Sequence, residues 1–130
     1  MEPPLSRSLR LGRRAALCGL VGTALLPATA RAHALVLAST PAAGARLEAA
    51  PPRASLRFNS RIDPARSRLT LHGPEGATQV LPLAPGAEPT ELEADLPALQ
   101  PGAWRLRWQV LATDGHITRG DIAFTILAPR

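Results

Sequence analysis

The chain has 130 residues, 45% hydrophobic and 19% charged, with one Cys, one Met and no Tyr. That length suits one ordinary domain, the apolar content excludes a disordered chain, and a single Cys excludes an intramolecular disulfide framework. The formal charge of +5 points toward a polyanion partner until its distribution is followed along the chain.

Arg7, Arg10, Arg13 and Arg14 precede an apolar run from Ala15 to Ala28, and Ala30-Arg31-Ala32 then supplies a small-x-small site. A basic start, an apolar stretch and such a site predict a secretory signal over residues 1–32, cleaved after Ala32. The apolar run is shorter than the roughly 20 residues of a spanning helix. Cys18 lies inside that run behind Leu17, which does not fit a lipoprotein site. The Arg13-Arg14 pair fits either a twin-arginine or an ordinary Sec signal.

Cleavage leaves residues 33–130, beginning at His33, with ten Arg and nine acids and a formal charge of +1. The ten Arg are scattered along the sequence, so nucleic acid is not expected as a partner. No membrane span is expected in the mature chain. It holds neither Cys nor Met, which suits an oxidising compartment.

Pro and Gly cut the mature chain into short segments. Leu35–Ser39 is apolar, and Ala54–Phe58 alternates as a half-buried strand does. Leu69 and Leu71 form a third segment, closed by His72-Gly73-Pro74-Glu75-Gly76, and Val80, Leu81 and Leu83 a fourth. Glu91–Leu96 is a fifth, with acids on its outer face. In the sixth, Trp104, Leu106, Trp108 and Val110 point one way and Arg105, Arg107 and Gln109 the other. The seventh starts at Gly120 and alternates through Ile122, Phe124 and Ile126. Seven short strands between turn signals predict an all-β sandwich or Greek-key barrel. Trp104, Trp108, Phe58 and Phe124 belong to its core, while Asp63-Pro64 and Gly73-Pro74 read as turns.

Packing leaves three polar positions without a role: His33, and Asp114 and His116 in Thr113-Asp114-Gly115-His116. Singly each is ordinary surface chemistry, and Asp-Gly is a common hairpin signal. Together they form a metal-ligand set. An N-terminal His33 offers its α-amine and imidazole Nδ1 to one ion, His116 a further nitrogen and Asp114 an oxygen. Nitrogen and oxygen donors suit Cu(II), which heads the divalent affinity series, whereas a blue-copper site needs the Cys that is missing. Zinc more often takes tetrahedral sites rich in thiolate. His72 reads as a solvated strand-end residue.

The mature chain resembles the CopC family of periplasmic copper-binding proteins. The resemblance lies in His33-Ala34, Ser39-Thr40-Pro41-Ala42 with Gly44, and Leu56-Arg57-Phe58. It continues in Pro101-Gly102-Ala103-Trp104, Trp108, Thr113-Asp114-Gly115-His116, Gly120 and Phe124. It implies a seven-stranded Greek-key barrel or sandwich, immunoglobulin- or cupredoxin-like, in the periplasm. It also implies Cu(II) held by His33, Asp114 and His116, and an inner-membrane copper importer of the CopD type as recipient. Some members place a glutamate after the strand that ends here at Phe58; this chain has Asn59-Ser60. Others carry a Met-rich Cu(I) loop, for which the mature chain has no Met.

The expected function is sequestration or delivery of copper, without catalysis. Lytic polysaccharide monooxygenases, which also bind copper through an N-terminal His, are the enzymatic alternative. Against it stand the absence of Tyr, the short chain and an Asp114 placed to take up the coordination position oxygen needs. A metal-free interaction module is the third reading.

Overall fold

The computed structural model describes Ala24 and residues 33–85 and 88–130. Apart from Ala24, the signal reading of residues 1–32, with its cleavage site and paired arginines, lies outside the described residues. Among the described residues nine strands follow in chain order: β1 (Val36–Thr40), β2 (Arg46–Leu47), β3 (Arg53–Phe58), β4 (Ile62–His72), β5 (Thr78–Leu81), β6 (Leu83–Pro85), β7 (Glu91–Asp95), β8 (Gly102–Ala112) and β9 (Ile117–Ile126). They form a four-stranded sheet, β1-β3-β7-β6, and a five-stranded one, β2-β9-β8-β4-β5. The all-β expectation holds, as an open sandwich of two sheets and not a closed barrel.

The count differs from seven for two local reasons. Strand β2 is only two residues long and pairs parallel to β9, too short to leave a periodic signal. The apolar run around residue 82 serves both sheets: Leu81 pairs with Leu69 in one, and Leu83 with Ala94 in the other. Pro82 separates them, and Pro has no N–H to give to a ladder.

Asp63-Pro64 is also not a turn. It lies within β4, where the register against β8 shifts between Asp63 and Arg68. The irregularity is closed by side chains: Asp63 Oδ1 accepts the Ala65 N–H at 3.0 Å, and Ser67 Oγ donates to the Asp63 carbonyl at 2.6 Å. The same hydroxyl accepts the Leu111 N–H at 3.2 Å, so the ladder donor on β8 stays satisfied.

Alternation builds the core. Leu56 and Phe58 of β3 and Leu92 and Ala94 of β7 are buried against Leu69, Leu71, Leu106, Trp108, Val110, Ile122, Phe124 and Ile126 from the other sheet. Phe58 and Trp108 meet edge to face across the two sheets, centroids 5.2 Å apart at 74°. Trp104 sits at the margin, partly buried, its Nε1–H donating to the Gln100 carbonyl at 2.8 Å. Both indoles depend on glycine. A Cβ at Gly120, opposite Trp108 in the ladder, would lie 2.3 Å from that ring, and one at Gly73 2.4 Å from Trp104.

Candidate metal centre

Strands β8 and β9 form a long hairpin whose tip is Thr113-Asp114-Gly115-His116. The tip is tight: Gly115 N–H donates to the Ala112 carbonyl and Ala112 N–H to the His116 carbonyl, each at 2.9 Å. Gly115 has φ +91°, a conformation that side chains with a Cβ rarely adopt. This turn brings Asp114 and His116 together. Asp114 Oδ1 accepts the His116 backbone N–H at 3.0 Å and lies 3.4 Å from His116 Nδ1.

The His116 backbone N–H, more than the imidazole beside it, holds the Asp114 carboxyl below its ordinary value of 3.8. The side chain is therefore an anion at any mildly acidic or neutral pH. Both side chains are exposed, and the imidazole keeps Nε2 directed away from its contact through Nδ1.

The N-terminal segment comes to the same end of the sandwich. His33 is exposed, but Ala34 next to it is buried in the core. Ala34 N–H donates to Thr118 Oγ1 at 3.3 Å, two residues beyond His116. Leu35 N–H donates to Asn59 Oδ1 at 2.8 Å, and Asn59 N–H returns a bond to the Leu35 carbonyl at 3.0 Å. Thr118 and Asn59 thus tie down the residues after His33, a role that sequence spacing could not show. Positions 34 and 118 are 84 residues apart, and nothing local signals their contact.

Asp114 and His116 form a pair, but among the described residues no group of three or more His, Cys, Asp or Glu is placed to hold a metal ion. His33 thus does not complete a cluster with them. The α-amine of the expected ligand set arises only on cleavage after Ala32, which lies outside the described residues. The donors that are in place, one imidazole and one carboxylate, are the nitrogen and oxygen type that Cu(II) accepts.

His72 lies elsewhere, on the outer face of β4. It is half-buried and not solvated as the sequence suggests: Nδ1 is 3.3 Å from Thr78 Oγ1, and Nε2 is shut off from solvent without a partner among the described residues.

The CopC domain model matches residues 36–127, from β1 to just beyond the end of β9. The chain belongs to the CopC domain family. That match takes in the Asp114–His116 turn and begins three residues after His33. Among curated relatives, protein YobA of Escherichia coli is 30% identical over 125 residues, covering 93% of this chain and 96% of that protein. Copper resistance protein C of Escherichia coli is 30% identical over 110 residues, covering 75% and 84%. CopC from Methylosinus trichosporium OB3b superposes with a TM-score of 0.66 at 30% identity, over 73% of this chain and 94% of its own. PcoC, a methionine-rich copper resistance protein from Escherichia coli, follows at 0.60 and 27%, over 73% and 99%. This chain shares their fold but is not rich in methionine: its one Met is Met1. Among the described residues no helix is long and apolar enough to cross a membrane.

Proposed function

We propose that this protein binds Cu(II) in the periplasm and sequesters it or passes it on, without catalysing a reaction. In this reading residues 1–32 are removed during export, and the domain begins at His33. The new α-amine and the His33 imidazole join His116 and Asp114 around the ion. Kinship with proteins named for copper resistance supports the metal, and the donor chemistry supports the cupric state. The observation that carries the site is the Asp114–His116 pair, 3.4 Å apart on a tight turn, with the segment behind His33 pinned beside it through Ala34 and Thr118.

Copper is cargo here. The chain's own work is to hold the two ends of the site in register. Asp114 either ligates through its second oxygen or keeps the His116 ring oriented so that Nε2 presents its lone pair. Delivery to an inner-membrane importer of the CopD type is the further step that the family suggests.

The test is intact mass and N-terminal sequencing of the exported protein, followed by Cu(II) titration monitored by EPR. A start at His33 and a nitrogen-rich tetragonal Cu(II) signal, abolished by acetylating the α-amine, is the expected result. A mature start elsewhere, or Cu(II) binding indifferent to acetylation, would overturn the ligand set. Oxidised oligosaccharides released from chitin or cellulose with oxygen and reductant would overturn the non-catalytic reading.

A further inference from the structure

In sequence the arginines look scattered, yet strand alternation collects them. The five strands of the larger sheet carry six Arg against two acids, Asp63 and Asp121, whereas those of the smaller sheet carry two Arg against three acids. On the outer face of the larger sheet Arg68 lies opposite Gln109, Gln109 opposite Arg119, and Thr70 opposite Arg107. These five residues line a pocket of about 240 Å³.

We propose that this pocket is a docking site for a carboxylate-rich segment of a partner protein. Charge complementarity carries the inference. Both acids of the sheet are already engaged: Asp63 with the Ala65 N–H and Arg66, Asp121 with Arg107 and Arg105. Arg68 and Arg119 pair with no carboxylate among the described residues, and both are exposed. Arg119 Nε donates to Gln109 Oε1 at 2.8 Å, which fixes the side chain and leaves its terminal N–H groups unspent. Clustered guanidinium groups repel one another until an anion enters between them.

The donors decide the ligand class. Strand β8, which crosses the pocket, is paired on both sides by β4 and β9, so its amides are spent and the pocket offers chiefly the planar forks of arginine. Those forks match a carboxylate in bidentate fashion, as Arg107 already shows by giving Asp121 two bonds of 3.0 and 3.1 Å. The pocket has room for one or two acidic side chains of an extended segment. Arg119 is three residues from His116 on β9, roughly 10 Å along the strand, so a docked partner would sit beside the Asp114–His116 turn. The inference does not depend on copper binding.

Calorimetric titration of the purified protein with acetylated hexaglutamate tests it, with inorganic phosphate and phosphatidylglycerol vesicles as parallel probes. Hexaglutamate should bind at low ionic strength, weaken as salt rises, and lose at least tenfold in affinity in the Arg68→Glu, Arg119→Glu double variant. Both positions are exposed, so the thermal midpoint should stay near that of the parent, which circular dichroism checks. Equal binding of the peptide by parent and variant would overturn the proposal. Arginine-dependent binding of phosphate or vesicles without binding of the peptide would also overturn it. So would parent self-association that the variant loses, because the face would then belong to a second copy of the chain.

Discussion

His33 owes its place to its neighbour. Ala34 contributes a buried methyl to the core, and its N–H is held by Thr118, so the backbone leaving His33 is fixed although the His33 side chain is free. Replacing Thr118 by Val keeps the shape and removes the acceptor. Loss of such a supporting contact costs about 10–100-fold in metal affinity, and Cu(II) titration of Thr118→Val should fall in that range. His116→Ala removes a donor and should cost more than Thr118→Val in the same titration. Asp114→Asn preserves an oxygen for the His116 backbone N–H but loses the charge, so its loss should lie between the two. An Asp114→Asn affinity equal to that of the parent would remove the carboxylate from the site. Residue types made Asp114 and His116 visible in the sequence, because a turn lays Asp-Gly-His on one exposed tip. Thr118 and Asn59 were not visible as anchors, since their partners lie across the fold.

At the scale of the strand, the β8–β9 pair shows what alternation can and cannot encode. Trp108 needs the space above Gly120, where even a single Cβ would stand 2.3 Å from the ring. Overpacking a filled core costs about 1–3 kcal/mol, and Gly120→Val should lose at least that in chemical denaturation, with an unchanged denaturant slope. The five long or regular strands β3, β4, β7, β8 and β9 follow from the periodicity of Leu, Trp, Ile and Phe, and their inward residues are those found buried, except Trp104, which is only partly covered at the margin. The strands that escaped are those where periodicity has no length to act. Arg46–Leu47 is too short for alternation to register, and Leu81 and Leu83 look like one strand until Pro82 sends them to different sheets. At Asp63-Pro64 the local chemistry of a turn was overridden by the ladder on either side, with Ser67 filling the gap.

Across the molecule, a formal charge near neutrality for residues 33–130 conceals two unlike sheets, and Asp121 is the counter-ion on which the basic one relies. Arg107 first, then Arg105 and His72, hold the Asp121 carboxyl below its ordinary value of 3.8 against the opposing effect of burial. A carboxylate depressed in this way adds stability that is fully present above its unfolded value and is lost as pH falls through the folded one. The window therefore lies in acid, below about pH 4. Both partners are substantially exposed, so solvent and salt screen the pair and the effect is modest. The expected outcome is a thermal midpoint for Asp121→Asn below that of the parent at pH 6–7. That gap should narrow as both are acidified below about pH 4, where the unfolded chain takes up the proton that the folded carboxylate resists. Added salt should narrow it at neutral pH as well, because the same charges that make this face basic are those the ions screen. A gap that stays constant from pH 7 to pH 3 would mean that Asp121 acts through packing alone, and the larger sheet would then tolerate its arginines without a counter-charge.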